Sequence, residues 1–209
     1  MKIGIIGAGH IGATAAKLFT QAGHDVAISN SRGPASLSEL IGKLGPRSRA
    51  MTVEDAAKFG DIVVLAVPWR TPEALPRAET VAGKIVIDAM NPYTAQGGIM
   101  DLGDRSSSER VAARLPGARL VKAFNTIYWE HLASEGRPDL PLPERRAVFV
   151  AGDDPEAKRV VQKLIEQVGF AAIDMGSLRE GGPRLEPGAA VYNCDLTAMQ
   201  AQATLVRRQ

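Results

Sequence analysis

Short runs of aliphatic residues alternate with amphipathic stretches from the beginning of the chain. The run from Ile62 to Val67 is apolar at every position, which is typical of a strand buried on both faces of a parallel sheet. The pattern predicts strands at Lys2–Gly7, Asp25–Ser29, Asp61–Val67, Lys84–Asp88, Arg119–Ala123, Ala147–Ala151 and Phe170–Asp174, with a very short one near Ala50–Met51. It predicts helices at His10–Gln21, Leu37–Leu44, Val53–Lys58, Ser107–Leu115 and Pro155–Gln167. This alternation predicts an α/β fold with a mostly parallel sheet.

Two helix starts and one boundary carry local signals. Ser106 with Glu109 three residues later predicts a capping box, and Pro155 after Asp153 and Asp154 predicts a capped first turn. The segment 135–145 contains three prolines and separates one further β-α-β unit from the rest. We therefore predict two portions, residues 1–140 and 141–209. The Gly/Pro-rich segment 176–190 is expected to form a loop that closes over a ligand or a partner subunit, rather than a flexible tail.

Composition excludes several classes of protein. With 25 Lys and Arg against 23 Asp and Glu, the net charge of +2 gives no reason to expect a nucleic acid or an anionic membrane as partner. No apolar run is long enough to span a bilayer. The single cysteine, Cys194, suits a reducing cytoplasm, and one cysteine with three scattered histidines predicts no metal site.

The first predicted strand and helix are joined by a glycine-rich turn. Residues 7–12, Gly-Ala-Gly-His-Ile-Gly, fit the pattern G-x-G-x-x-G in the strand-to-helix context that it requires. Gly7 permits the tight turn, Gly9 removes a Cβ where a pyrophosphate must approach, and Gly12 lets helix and strand pack closely. An ordinary strand-to-helix turn is the alternative. The motif predicts a doubly wound, Rossmann-type dinucleotide-binding domain in residues 1–140.

The end of the second strand indicates which dinucleotide binds. NAD-preferring sites place Asp or Glu about 20 residues after the last glycine, to hold the ribose 2′-hydroxyl. Here the chain has Asn30, Ser31 and Arg32, which offer neutral hydrogen-bonding groups and a guanidinium suited to a 2′-phosphate. A surface turn that happens to contain arginine is the alternative. The sequence predicts NADP(H).

Further contacts are expected where later strands end, because ligands of open α/β sheets bind at the carboxyl ends of the strands. The loops that follow these strand ends should border the ribose and the nicotinamide. Asp88 could have a role in the site or a structural role. The full set of predicted cofactor residues is Gly7, Ala8, Gly9, His10, Ile11, Gly12, Asn30, Ser31, Arg32, Ala66, Val67, Pro68, Met90, Asn91 and Pro92.

The reaction has to be inferred without a catalytic constellation. The sequence shows no nucleophile–histidine arrangement, and His131 is the one histidine within reach of the cofactor loops, with a surface or packing role as its alternative. Hydride transfer between two cofactors needs placement of donor against acceptor rather than a protein acid or base. This favours a cofactor-to-cofactor reductase over an alcohol dehydrogenase.

The chain resembles the NADPH-dependent coenzyme F420 oxidoreductases over essentially its whole length. The resemblance rests on residues 7–12, 30–32, 66–68 and 121–126, the last reading Val-Lys-Ala-Phe-Asn-Thr. Around Phe124, Asn125 and Thr126 the chain is also similar to the cytosolic reductase domain of the STEAP metalloreductases, which pass hydride from NADPH to a flavin. The resemblance implies a small C-terminal portion beside the Rossmann domain and a small-molecule hydride acceptor, namely coenzyme F420, FMN or FAD.

The resemblance also places residues around the acceptor. It implies that Asn125, Thr126 and Ile127 flank the ring, with Gly176 and Ser177 contributing from the other side. Where family members carry small residues or proline, this chain has Tyr128 and Trp129. We expect Trp129 at the edge of the acceptor pocket, as a stacking platform or as a plug, with packing in the core as the alternative.

Two other functions stay open at this point. Pyrroline-carboxylate reductases share a similar N-terminal half, so reduction of a small imine or carbonyl substrate is the second interpretation, although those enzymes usually add a helical dimerisation domain. A non-catalytic NADPH-sensing module is the third. A homodimer is expected, because symmetric pairs are the commonest assemblies. Residues 141–209 would supply the acceptor side or the dimer contact.

Overall fold

One eight-stranded sheet runs through the computed structural model, which describes residues 1–206. The strands are β1 (Lys2–Ile6), β2 (Asp25–Ser29), β3 (Ser48–Ala50), β4 (Ile62–Leu65), β5 (Ile85–Asp88), β6 (Arg119–Lys122), β7 (Ala147–Gly152) and β8 (Ala171–Asp174). Their order is β3-β2-β1-β4-β5-β6-β7-β8, and neighbouring strands are parallel except for the antiparallel pair β6 and β7. The predicted mostly parallel α/β fold is confirmed.

Helices connect the strands. They are α1 (His10–Gln21), α2 (Ser38–Leu44), α3 (Val53–Phe59), α4 (Ala78–Val81), α5 (Ser107–Arg114), α6 (Trp129–Ser134), α7 (Pro155–Gln167) and α8 (Ala198–Val206). The pattern missed α4 and α6, because helices of four and six residues are too short to show a period. It also missed α8, whose apolar residues form no clear stripe. The short third strand lies at Ser48–Ala50 instead of near Ala50–Met51.

Both faces of the sheet are covered, which explains the uninterrupted apolar strands. On one face, alternate strand residues such as Ile5 and Val64 pack with Phe19 of α1 and Val161 of α7. On the other face, the intervening residues pack against α3, α4 and α5, for example Val63 against a cluster that includes Ala56, Val81 and Val111. The doubly wound arrangement follows directly from this alternation.

Two predicted helix starts are confirmed. At α5, the Ser106 hydroxyl accepts from the Glu109 N–H while the Glu109 carboxylate accepts from the Ser106 N–H. At α7, Asp154 caps the first turn by accepting from the N–H groups of Glu156 and Ala157. Arg119 at the start of β6 also donates to the Asp154 carboxylate, and this hydrogen bond, with the backbone donors, holds the pKa of Asp154 far below its usual range.

The last β-α-β unit, from β7 to β8, is parallel within itself and joins the main sheet through the antiparallel β6–β7 pair. Segment 135–145 before it is tied down, since the Arg145 guanidinium donates to the carbonyls of Pro138, Leu140 and Glu166. The sheet is continuous across residue 140. The division of the chain into residues 1–140 and 141–209 stays a prediction.

Candidate active site

The turn between β1 and α1 shows why its glycines are needed. Gly7 has φ +108°, and a Cβ there would lie 2.4 Å from the Ala66 carbonyl oxygen. A Cβ on Gly12 would lie 1.9 Å from the Gly7 carbonyl oxygen. A Cβ on Gly9 would meet nothing within 4 Å. Gly7 and Gly12 are therefore required by the fold, whereas Gly9 borders open space.

The amino end of α1 faces this space without a competing acceptor. Gly9 is the N-cap, no side chain in the described residues caps the helix, and its first turn contains no acidic residue. Free N–H groups and the positive end of the helix dipole suit a phosphate. The residues present thus fit a dinucleotide pyrophosphate. Any side chain at position 9 would occupy the open space that the pyrophosphate needs, and glycine leaves it free.

A groove of about 670 Å³ extends from this turn along the carboxyl ends of the central strands. We call it the cofactor groove. Its lining includes nine residues predicted from the sequence, Gly7, Ala8, Gly9, Asn30, Ser31, Arg32, Ala66, Val67 and Pro68. It also includes Ile6, Val53, Thr71, Glu73 and Ala74, which sequence reasoning missed. These additions come from segments that no motif marks, so only the folded chain shows them.

The loop after β2 presents Arg32 to the groove. The Asn30 side chain shapes this loop, because its Oδ1 accepts from the Arg32 N–H at 3.1 Å and its Nδ2 donates to Ser36 Oγ at 2.8 Å. Arg32 itself is exposed, and within residues 1–206 no carboxylate forms an ion pair with it. Its guanidinium is therefore available to a 2′-phosphate. Glu73 is the carboxylate that lines the same groove.

A second, smaller space of about 140 Å³ lies where β5 and β6 end. We call it the reaction cavity. Of the predicted residues it is lined by Ile11, Asn91, Asn125, Ile127 and Trp129, and it adds Ala89, Phe124, Tyr128, Tyr192 and Asn193. Tyr192 and Asn193 belong to the segment 175–197 between β8 and α8, which we call the C-terminal loop. The cavity is therefore closed by a part of the chain far from the glycine turn.

The backbone beside the reaction cavity is strained. Phe124 has φ +63°, a conformation that a bulky residue adopts only where the surrounding structure enforces it. Asn193 also has a positive φ, 54°, which asparagine tolerates better, and its N–H donates to the Thr126 carbonyl at 2.9 Å. This strain turns the chain sharply after β6 and brings residues 124–127 against the C-terminal loop.

Two asparagines and two tyrosines form a polar network on one wall. Asn91 Nδ2 donates to the Asn125 carbonyl at 2.9 Å and to the Tyr192 hydroxyl at 3.1 Å. Asn125 Nδ2 donates to Asn91 Oδ1 at 3.0 Å and to the Leu185 carbonyl at 2.6 Å. The hydroxyls of Tyr93 and Tyr192 are 3.0 Å apart. Burial, with this tyrosine contact, raises the pKa of Tyr192, so its hydroxyl stays protonated near neutral pH.

Trp129 is half-buried at the mouth of the cavity and stacks on His10 of the glycine turn. Their ring centroids are 4.5 Å apart with an interplanar angle of 17°. Trp129 begins α6, so the stack links this helix to the amino end of α1. Trp129 thus lines the cavity and touches the cofactor turn at once, unlike a fully buried core residue.

Several predicted residues lie elsewhere. Thr126, Gly176 and Ser177 do not line the reaction cavity: Thr126 is buried, and the Gly176 carbonyl accepts from the Gly152 N–H. Met90 and Pro92 flank Asn91 in the same loop, and both are buried and line neither the groove nor the cavity. His131, the one histidine considered for catalysis, lies 3.6 Å from Glu135 and lines neither space. The segment 176–190 packs on the start of α5, where Glu186 accepts from the Ser107 N–H at 2.6 Å.

A fully buried ion pair supports the cavity from below. Lys122 Nζ lies 3.6 Å from Asp88 Oδ2 and donates to Ser107 Oγ at 3.0 Å and to the Met90 carbonyl at 3.3 Å. Asp88 accepts from the Ser108 hydroxyl and from the Met90 N–H. Because both ends of the pair hold Met90, Asp88 fixes the loop that presents Asn91 and has a structural role.

None of the helices within residues 1–206 is long and apolar enough to cross a membrane. The same residues contain no group of three or more His, Cys, Asp or Glu side chains placed to hold a metal ion.

Comparison with known proteins identifies the family and the fold. The family model described as NADP oxidoreductase, coenzyme F420-dependent, matches residues 2–92, which carry most of the cofactor groove. Among solved structures, a hypothetical protein of Sinorhizobium meliloti is 37% identical, with a TM-score of 0.82 over 94% of this chain and 95% of that one. The Rossmann-type fold is shared over nearly the whole chain.

Two curated relatives show the family. The metalloreductase STEAP3 of Rattus norvegicus is 31% identical over 180 residues, which are 85% of this chain but 34% of that protein, so the chain spans about a third of its length. The F420-dependent NADP reductase of Methanothermobacter thermautotrophicus is 31% identical over 195 residues, which are 85% of this chain and 82% of that protein. The chain therefore belongs to the F420-dependent NADP reductase family of NADP-dependent oxidoreductases, as the resemblance in its motifs indicated.

Proposed function

We propose that this protein transfers hydride directly between NADP(H) and a deazaflavin or flavin ring, namely coenzyme F420, FMN or FAD. One observation carries the proposal. Among the described residues, the lining of the reaction cavity contains no carboxylate, imidazole, amine or thiol. The polar groups of the lining include amides and the phenol hydroxyls of Tyr128 and Tyr192, and burial raises the pKa of Tyr192, which makes it a weaker acid. A cavity of this composition can position two flat rings, which suits direct transfer between cofactors.

The chain's own residues then have distinct tasks. The open space at Gly9 and the free N–H groups of α1 receive the pyrophosphate, and Arg32 receives the 2′-phosphate. NADPH, when bound, supplies the hydride. Ile11, Ile127 and Phe124 contribute apolar walls that exclude water from the reacting rings. Trp129 borders the opening through which the second ring must enter.

A second candidate function is reduction of a small imine or carbonyl compound. The volume of about 140 Å³ favours it, because pockets for larger ligands usually span roughly 300–1,000 Å³. Coenzyme F420 or a flavin would need the cavity mouth to widen, and the Trp129–His10 stack is the group in the way. The two candidates thus differ in what they require of Trp129.

The test measures NADPH oxidation with coenzyme F420, FMN, FAD and a panel of small imines and aldehydes, in wild type and Trp129→Ala. Direct transfer predicts turnover with a deazaflavin or flavin in wild type. If Trp129 is a platform, Trp129→Ala weakens acceptor binding by about 0.5–1.5 kcal/mol and leaves NADPH affinity intact. If it is a plug, the variant turns over the bulky rings faster.

Other outcomes would contradict the proposal. Turnover of small imines alone would establish the second candidate. If the protein binds NADPH but no acceptor oxidises it, the protein is a non-catalytic NADPH-binding module. If Trp129→Ala instead loses about 3–5 kcal/mol of stability with unchanged acceptor preference, Trp129 has only a packing role. The homodimer and the cytoplasmic location expected from the sequence stay predictions, and size-exclusion chromatography with light scattering would test the first.

A further inference from the structure

The reaction cavity contains a buried acceptor with no partner. Asn125 is 3% exposed and lines the cavity, and its Oδ1 accepts no hydrogen bond in the part of the chain that the structure describes. The orientation of the amide is fixed, because Nδ2 donates to two carbonyl-type oxygens, Asn91 Oδ1 and the Leu185 carbonyl. Buried polar groups are almost always paired, so a lone acceptor at a cavity wall indicates a donor that arrives with a ligand.

The neighbouring hydroxyl supplies the complementary group. Tyr192 accepts from Asn91 Nδ2, and its hydroxyl carries one proton to donate. Tyr93 stands on its other side, with a hydroxyl that can donate to it. When both neighbours donate, the Tyr192 proton is free to point at a ligand. Burial raises the pKa of Tyr192, which keeps this donor protonated.

We propose that Asn125 and Tyr192 together form a recognition site for an amide edge, a carbonyl beside an N–H, on a ring bound in the reaction cavity. Tyr192 donates to the ring's carbonyl and Asn125 Oδ1 accepts from its N–H. The inference rests on the proposed function, in which two rings carry such an edge. These are the nicotinamide of NADPH, through its carboxamide, and the acceptor, through the dione edge of a deazaflavin or flavin.

The experiment compares wild type with Tyr192→Phe, which removes the hydroxyl alone, and with Ser134→Ala as the control. Ser134→Ala also removes a single hydroxyl, but Ser134 is exposed on α6 and lines neither the groove nor the cavity. Dissociation constants are measured for NADP⁺ and for 2′,5′-ADP, which lacks the nicotinamide, and KM is measured for the acceptor. Thermal unfolding of each variant verifies that it is folded.

Loss of one neutral hydrogen bond should weaken the affected ligand about 3- to 10-fold in Tyr192→Phe, and Ser134→Ala should bind every ligand as wild type does. If the edge belongs to the nicotinamide, NADP⁺ weakens and 2′,5′-ADP does not. Wild type should then also bind the 3-acetylpyridine analogue of NADP⁺ less well, since that analogue has no N–H for Asn125. If the edge belongs to the acceptor, KM rises while both dissociation constants hold, and methylation of the acceptor's ring N–H raises KM in wild type.

Two results would overturn the inference. One is that Tyr192→Phe gives the same two dissociation constants and the same KM as Ser134→Ala. The other is an equal weakening of NADP⁺ and 2′,5′-ADP with unchanged KM, which would mean that Tyr192 only supports the fold. A wild type that turns over no deazaflavin or flavin refutes the proposed function separately, and the comparison of NADP⁺ with 2′,5′-ADP then decides the inference by itself.

Discussion

The cofactor groove and the reaction cavity lie at the same edge of the sheet but are built differently. The groove is dominated by backbone: three glycines within six residues, the amino end of α1, and a loop that Asn30 shapes through contacts at most six residues away. The cavity is dominated by side chains from four separate segments, and the Asn91–Tyr192 hydrogen bond joins residues 101 positions apart. The glycine turn and the Arg32 loop are therefore each local in the chain, whereas the cavity is assembled from distant segments.

Because of this difference, the two regions should respond differently to amino-acid substitutions. A local turn depends on a few backbone conformations, so one Cβ in the wrong place should remove its function. An assembled cavity depends on the framework beneath it, so a buried change outside the cavity should disturb it.

The sharpest test pairs two glycines of the same turn. Gly9→Val should abolish saturable NADP(H) binding in a folded protein, because its Cβ enters the open space that the pyrophosphate needs and touches no protein atom within 4 Å. Gly12→Val should instead destabilise the fold, because its Cβ would lie 1.9 Å from the Gly7 carbonyl oxygen. Fluorescence titration with NADPH and urea unfolding separate the two effects. Normal NADPH affinity in a folded Gly9→Val variant would show that the pyrophosphate does not bind at this turn.

The framework under the cavity is tested by Lys122→Met. Removing the ammonium leaves the Asp88 carboxylate buried without its partner, and such a change typically costs about 3–5 kcal/mol of unfolding free energy. The double variant Lys122→Met, Asp88→Asn should recover part of this loss, since it removes the unpaired charge. Urea unfolding measures both. A loss below about 1 kcal/mol in the single variant would mean that the pair does not support the Met90–Asn91 loop.

Arg32→Ala tests the specificity of the cofactor groove for the 2′-phosphate. The variant should weaken NADPH by about 1.5–3 kcal/mol, or roughly 10- to 150-fold, through loss of a charge-assisted phosphate contact. NADH should be nearly unaffected, because it has no 2′-phosphate. Arg159→Ala is the control, since Arg159 is exposed on α7 and outside the groove, so it changes the net charge equally. Equal weakening of NADPH and NADH would give Arg32 a structural role.

The smallest effect concerns pH and the join between β6 and α7. The pKa of Asp154 is lowered by Arg119 and by the α7 cap, so its contribution is complete above the unfolded pKa, about 3.9, and is lost as pH falls towards the folded pKa. Asp154→Ala should therefore lower the urea midpoint by a constant amount between about pH 6 and pH 8. The gap to wild type should narrow below about pH 4. A gap independent of pH would show that Asp154 acts without its charge.

The sequence alone was sufficient for the α/β fold, the positions of most strands along the chain and the glycine turn between β1 and α1. Apolar runs and amphipathic stretches report the burial of each element, and Gly7, Gly9 and Gly12 act within one turn whose geometry their spacing fixes. The capping boundaries of α5 and α7 were equally readable, because a cap involves neighbours three residues apart. These features are local in the chain, so local sequence carries them.

Only the tertiary structure decided which side chains share the reaction cavity. Nothing near Tyr192 marks it as a partner of Asn91, and the positive φ of Phe124 is enforced by packing rather than by its residue type. The same holds for Gly176 and Ser177, whose expected place on the cavity wall is taken by Tyr192 and Asn193. Which residues far apart in the chain come into contact depends on how the loops after neighbouring strands pack against one another. The periodicity of a single sequence reports the burial of each element but does not report which loops meet.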